Sequence, residues 1–458
     1  MKKISLVAAF ALCGNLAFAD TSVMQSQIET LTKEIELLKK QQSHTTKSLT
    51  DVKNNTANNN VKIGLDFRNA IDVLEYKDNK NNVKAKNNSL LSSRLFLNLS
   101  ASPMKGLVFK GKLAIYSTWG SKLYHYEDTG LKDWSASSKP SDTVMRLKEG
   151  YFAYNTKVGE QPITVSVGRR PASNGFLANM RENEDVAGSP LAHITNMEVN
   201  GAMVKLDWSR YIPGAYTKFV YGRAHTGEMN NVYGKASEGK YPYAITDEKE
   251  DRNVDFFVIP GVAYYDGQYE LMYQWAHIFN TKGSSDAGIT NAAAAGNADL
   301  FALSLKVEGI GNEINEFLDD TLFFISGASS YYNPKDGHKI FQNAGVSKGY
   351  SIWTGIVIPD MITNNGKIGF EYNHGSKHWT PMTWAEDSAI GSKVAVRGHA
   401  YEAYWNFDLF GVKYLPSQVR YTHVQHDYTP NVNCSGWIES EKADITAKNL
   451  RFFVSYRY

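Results

Sequence analysis

The chain has 458 residues, a formal net charge of +2 and 21% charged residues, so its balance encodes neither a basic nucleic-acid surface nor an acidic tail. Its mean hydropathy is −0.39 although it carries 27 Tyr, 21 Phe and 9 Trp. Beyond the N-terminal segment no run reaches the roughly 18 apolar residues of a membrane helix.

Met1-Lys2-Lys3, the apolar stretch from Ile4 to Leu12, and Ala17-Phe18-Ala19 have the order of a secretory signal: a basic start, a short apolar core and a small-x-small cleavage site. Residues 1–19 are therefore expected to be removed. Of the two cysteines, Cys13 would leave with them and Cys434 would remain alone, which excludes an intramolecular disulfide and a thiolate metal cluster.

Over 20–53, Met24, Ile28, Leu31, Ile35 and Leu38 recur at alternating three- and four-residue spacings, continued by Gln42, Thr45, Leu49 and Val52. This narrow seam predicts an α-helical coiled coil that associates with copies of itself, a lone amphipathic helix being the alternative. The Asn-rich segment 54–60 reads as a linker.

From Val61 the period becomes two. Val61, Ile63, Leu65 and Phe67 alternate with Lys62, Gly64, Asp66 and Arg68, and Phe109, Gly111, Leu113 and Ile115 with Lys110, Lys112, Ala114 and Tyr116. Sixteen such segments fall near 61–76, 90–102, 107–117, 144–155, 163–170, 197–208, 216–225, 254–265, 268–279, 298–308, 320–331, 349–358, 367–375, 396–409, 417–427 and 447–458. The links between them alternate long (77–89, 118–143, 171–196, 226–253, 280–297, 332–348, 376–395, 428–446) and short, with Asp266-Gly267 reading as a two-residue hairpin turn. Alternating strands with long loops at one end and short turns at the other predict an all-β fold: an antiparallel transmembrane β-barrel of about sixteen strands over 61–458. In the last segment Leu450, Phe452, Val454, Tyr456 and Tyr458 share one face.

This arrangement resembles the sixteen-stranded porins, most of all the phosphate- or dicarboxylate-type porins with an N-terminal periplasmic coiled coil. Val167-Gly168-Arg169-Arg170-Pro171 after a strand also resembles a porin-like family of uncharacterised proteins from epsilon-class bacteria. The resemblance implies a homotrimer in the outer membrane of a Gram-negative bacterium, passive diffusion, and contact with outer-membrane lipid. It also implies that the C-terminal strand, through Phe452, Val454, Tyr456 and Tyr458, is the signal read by the barrel assembly machinery. In such porins the loop after strand five folds inward, so residues 171–196 are the expected eyelet. Arg169, Arg170 and Arg181 would form its positive side, and Glu182, Glu184 and Asp185 its negative side.

The alternation itself places Arg68, Arg94, Lys110, Lys112, Arg146 and Lys148 on a basic inner wall, with Arg420, Arg451 and Arg457 beside it. Glu270, Glu371, Glu402 and Asp408 fall on a facing acidic wall. Asp66 breaks the basic wall, and Glu149 and Lys218 fall on nominal lipid faces. An excess of inward cations favours anions mildly. No nucleophile elbow, phosphate loop or zinc-protease motif occurs, so no enzyme, cofactor or metal site is expected. The expected function is a porin for small hydrophilic solutes or ions. The alternative is a structural barrel whose loops block its lumen.

Overall fold

A computed structural model describes Ile35 and residues 61–120, 144–226, 253–285, 292–311, 314–430 and 439–458, apart from positions 172, 185, 189, 364 and 385. The expected signal segment and linker, and all of the expected coiled coil but Ile35, lie outside the described residues. Ile63–Ser100 and Gly106–Tyr458 form one compact unit.

Its strands are β1 (Lys62–Asp78), β2 (Val83–Met104), β3 (Leu107–Thr118), β4 (Met145–Val158), β5 (Gln161–Arg170), β6 (Val199–Asp207), β7 (Tyr216–His225) and β8 (Val254–Tyr265). They continue with β9 (Tyr269–Ser285), β10 (Ala292–Glu308), β11 (Leu322–Pro334), β12 (Ser347–Pro359), β13 (Lys367–Gly375), β14 (Gly398–Asp408), β15 (Pro416–Tyr428) and β16 (Lys442–Arg457). Together they make a closed antiparallel barrel of sixteen strands. β16 returns to β1, pairing Phe67 with Tyr456 and Ile71 with Phe452, and this seam leaves no open edge.

Several strands outrun their sequence patterns. β1 and β2 extend to a tight turn at 79–82 in place of the long loop expected at 77–89, and β9 and β10 extend through most of 280–297. None of these extensions alternates: β2 carries polar side chains on both faces, as in Lys84, Lys86, Asn87 and Asn88, and β10 opens with the alanine run Ala292–Ala295. Backbone pairing does not need alternation there. The turn expected at Asp266-Gly267 takes in Gln268 as well. Asp266 Oδ1 accepts from the Gln268 and Tyr269 N–H groups at 2.8 Å each, and Gly267 adopts φ 104°.

The two exceptions to the face pattern resolve in the strands. In β4 a bulge lets Lys112 pair with Glu149 while Leu113 pairs with Leu147, which turns Glu149 inward. Its carboxylate then meets Lys112 Nζ at 2.8 Å. Lys218 also faces inward, over the Tyr216 ring, because Phe219 and Tyr221 take the outer face of β7.

The apolar core lies inside the barrel. The β5–β6 connection folds inward as the first inner loop (171–198), carrying a one-turn helix α1 (Ala178–Arg181). Phe176, Leu177, Leu191 and Ile194 are buried on the inner faces of β8 to β12, against Phe256, Leu300, Phe324 and Trp353. Leu177 holds φ 82°, a left-handed conformation unusual for a bulky residue, at 0% exposure. The β13–β14 connection forms a second inner loop (376–397). The two loops join through a short parallel pairing of Met382 with Thr195 and Thr383 with Asn196.

Leu191 anchors this packing, its N–H donating to Gln274 Oε1 at 2.7 Å and its side chain fully buried. Leu191→Ala should cost about 2–5 kcal/mol of packing. Limited proteolysis should cut within 171–198 faster in the variant while the barrel remains folded on unheated gels. Equal cleavage of both proteins would contradict the packing.

Candidate functional site

Inward side chains divide the lumen into two unlike halves. Along β9 to β12 they are closed over by the first inner loop: Gln274 is 2% exposed, and Ala276, Leu300 and Trp353 are 0%. Along β3 to β7 they stay partly open. Lys110 is exposed, the Lys112 and Lys205 side chains each retain 27% of their surface, and Arg170 and Lys218 are half-buried.

The open half is basic. The ammonium groups of Lys112 and Lys148 lie 5.5 and 5.9 Å from the centre of the inward Phe96 ring, and Arg170 lies 5.1 Å from that of Tyr151. Lys112 pairs with Glu149, Lys148 with Glu198, and Lys205 with Asp207. Lys110, Arg170 and Lys218 have no carboxylate partner among the described residues. Arg146 stands at the outer end of this wall, paired in the sheet with Ala114.

The meeting of the two loops with β13 to β16 and β1 is densely charged and closed. Arg181 of α1 is 1% exposed, its Nε donating to Glu182 Oε1 at 2.9 Å, and it also pairs with Glu386 and, at 3.7 Å, with Glu402. Burial alone would depress the guanidinium, but Glu386, Glu182 and Glu402 outweigh it and hold its pKa well above the ordinary arginine value. Glu371 and Glu402 lie directly opposite each other on β13 and β14, a repulsive arrangement. Lys393 from the second inner loop binds both, with Glu371 at 2.6 Å. Arg397 closes that loop through the Trp379 carbonyl (2.9 Å) and the Thr380 hydroxyl (2.7 Å). At its tip, Asp387 meets Arg68 at 2.6 Å, Arg94 at 2.8 Å and Arg451 at 3.4 Å. Burial pushes the Asp387 carboxyl up, but these three arginines win and keep it well below the usual carboxylate range.

The residues expected at the eyelet separate. Arg181 and Glu182 sit together in the closed cluster, and Glu184 is nearby with Asn174 at 3.4 Å. Arg170 belongs to the open basic wall. Arg169 shares the outer face of Val167 because side chains alternate along β5, and its Nε donates to the Lys148 carbonyl at 3.1 Å. Asp185 lies outside the described residues. Gly168 holds φ 132°, where a Cβ would come within 2.3 Å of the Gly150 carbonyl. Of the expected acidic wall, Glu371 and Glu402 join the closed cluster beside arginines rather than facing them. Glu270 pairs with Lys306 at 2.8 Å, and Asp408 ends β14. Glu386, Asp387 and Lys393 went unrecognised because 376–395 reads as an ordinary external loop, with no periodicity to mark an inward fold, and Arg397 because it falls at the start of the strand expected over 396–409, whereas that strand begins at Gly398.

His193 is another residue that no pattern marks. It is fully buried, with Nδ1 2.7 Å from Ser326 Oγ, Nε2 2.9 Å from Ser351 Oγ, and its ring edge-on to Trp353 and Trp379. Burial pushes its pKa down to about 3, far below the ordinary histidine value of about 6.5.

Residues 84–453 match the family described as protein of unknown function (DUF3373). No curated protein matches the chain. Among solved structures, OprB of Pseudomonas putida at high pH is 11% identical, with 87% of this chain and 94% of that one covered and a TM-score of 0.47. An anion-selective porin from Comamonas acidovorans is 11% identical over 87% and 100%, with a TM-score of 0.48. OmpT, an outer membrane protein of Vibrio cholerae, in its trimer form, is 12% identical over 87% and 99%, with a TM-score of 0.44.

The buried histidine makes loop docking pH-dependent. An undocked imidazole takes a proton below about pH 6.5, whereas the docked one does not, so docking weakens as pH falls, by on the order of 1 kcal/mol at pH 5.5. Glu184 works in the opposite sense, because burial and then Glu182 raise its carboxyl. Asp387 and Glu182, both lowered, keep their contribution until the pH falls below the ordinary carboxylate range. Protease cleavage within 171–198 should therefore rise between pH 7.5 and 5.5, and rise less in His193→Gln. Equal rises in both proteins would contradict a neutral buried His193.

Proposed function

The chain belongs to the family described as protein of unknown function (DUF3373), and we propose that it is an outer-membrane channel for small hydrophilic solutes or ions, with a mild preference for anions. The closed barrel supports the membrane part of this reading. Its outward positions carry Phe67, Ile71, Phe301, Phe323, Ile352 and Phe370, all exposed in the isolated chain, and a closed sheet satisfies its backbone internally, as lipid requires. In the same reading, the outward Phe452 and Tyr456 of β16, with Val454 and Tyr458, serve assembly, and the seam over 20–53 joins barrels into a trimer. Sedimentation of the detergent-solubilised protein with and without 20–53 reads the second point.

The observation that carries the channel reading is the half-open lumen. Among the described residues, and apart from Arg146 at its outer end, six cations line it (Lys110, Lys112, Lys148, Arg170, Lys205 and Lys218) against three acids, Glu149, Glu198 and Asp207. The uncompensated charge of +3 (six minus three) attracts anions and repels cations. A second reading, a barrel that does not conduct, is favoured by one observation: Arg181, Lys393 and Trp379 are 1%, 3% and 0% exposed in the middle of the lumen.

Reversal potentials across planar bilayers separate these readings. In a salt gradient at or below 0.1 M, where screening acts over about 10 Å, the Lys110→Ala, Arg170→Ala, Lys218→Ala triple variant should shift the reversal potential towards cations. Lys413→Ala, in the turn between β14 and β15, should leave it unchanged. A triple variant with wild-type selectivity would sink the basic-passage reading, and an absence of current from the wild type would favour the closed barrel.

A further inference from the structure

The surroundings of Asp387 are those of a ligand in a binding site. Its Oδ2 lies 2.6 Å from Arg68 Nη1 and 2.8 Å from Arg94 Nη1, and its Oδ1 lies 3.4 Å from Arg451 Nη1. Its backbone carbonyl accepts from Arg420 Nη2 at 3.0 Å and Arg451 Nη1 at 2.9 Å. The four arginines come from β1, β2, β15 and β16, neighbours across the closing seam, and are 4%, 8%, 1% and 4% exposed. Only Asp387 comes from outside the wall. It arrives on the tip of the second inner loop, and its side chain keeps 26% of its surface while those of Arg68 and Arg94 keep 5% and 10%.

The wall alone does not balance these charges. Asp72 takes Arg451 in a two-pronged contact at 2.7 and 3.1 Å, and Asp66 is shared between Arg94 (3.3 Å) and Arg457 (3.1 Å). Arg68 has no carboxylate except Asp387 among the described residues. The Nε atoms of Arg68, Arg94 and Arg420 are buried without a hydrogen-bond partner there. The cluster therefore offers more donors than its occupant can accept. Several like charges this close and this dry are strongly unfavourable without a counter-ion, and the forked guanidinium matches a carboxylate better than a spherical ion.

We propose that Arg68, Arg94, Arg420 and Arg451 form a binding site for a small carboxylate anion, occupied here by Asp387 of the chain's own loop. Asp387 is a tethered occupant: seated, it neutralises this face of the lumen, and its removal leaves a cavity of carboxylate size lined by guanidinium groups. For its electrical readout the proposal rests on the channel reading. Its binding readout does not.

The test uses the full chain in detergent, with formate as the free counterpart of the Asp387 carboxylate and chloride at equal ionic strength as control. Asp387→Ala should melt below the wild type, and millimolar formate should restore most of that loss while chloride does not. Formate should leave the wild type unmoved, because its site is filled, and should fail to restore the Arg94→Ala, Asp387→Ala double variant. Formate and chloride acting alike, or equal responses of wild type and Asp387→Ala, would overturn the site. If Asp387→Ala yields no folded barrel, Asp387→Asn keeps the volume and removes the charge. Its reversal potential should then move towards anions, and an unchanged value in a conducting pair would overturn the proposal. A non-conducting wild type overturns the channel reading instead, and the melting comparison decides the site alone.

Discussion

A barrel of sixteen strands encloses more space than its inward side chains can fill. That surplus volume must hold water or more protein, and the rest of this structure follows from how the chain divides it. Eight-stranded barrels close over their own side chains; here two connections turn inward and supply a core that the wall cannot make alone. Where the wall is apolar, on β8 to β12, the first inner loop docks with Phe176, Leu177, Leu191 and Ile194 and removes the water. Where the wall is basic, on β3 to β7, no such apolar loop faces it among the described residues, and Lys110, Lys112 and Lys205 keep exposed surface.

Electrostatics fixes the boundary between the two halves. Charges as buried as Arg181, Lys393 and Arg420 carry a desolvation cost of several kcal/mol each. They persist because Glu182, Glu371, Glu386 and Glu402 surround them. The loops bring cations to the glutamates of β13 and β14, and Asp387 to the arginines of β1, β2, β15 and β16, so each loop carries the charge that its stretch of wall lacks. The inner loops are thus held by a dry apolar face on one side and by reciprocal ion pairs on the other, and the open part of the lumen is what neither covers.

The strands were legible because a barrel wall with one face outward and the other towards the lumen imposes a period of two, and all sixteen segments found by alternation are strands of the barrel. Legibility failed where that constraint lapses. At their ends β1, β2 and β9 continue with polar residues on both faces and β10 with a run of alanines, and both read as loop. At Glu149 one extra residue reverses the face, and alternation has no means to signal a bulge. The inward course of 376–397 has no local signature at all. Asp387 and Lys393 look like any solvated loop charges; Lys393 meets Glu371 and Glu402 on the two strands that flank its own loop, whereas Asp387 meets Arg68 and Arg94 some three hundred residues earlier, across the closure of the barrel. The eyelet expectation for 171–196 named Arg181 and Glu182, which do meet inside the barrel, and Arg169, which the same alternation rule turns outward.

The central claim is that the lumen is open along β3 to β7 and filled along β8 to β12. Cysteine accessibility tests it most directly. In a Cys434→Ser background, Lys148→Cys on the open wall and Ala276→Cys under the first inner loop can be exposed to a small charged thiol reagent in folded, membrane-inserted protein. The account requires Lys148→Cys to label readily and Ala276→Cys to label only after unfolding. Equal labelling of both positions would mean that water fills the whole lumen, and protection of both would mean that none of it is open; either result contradicts the account.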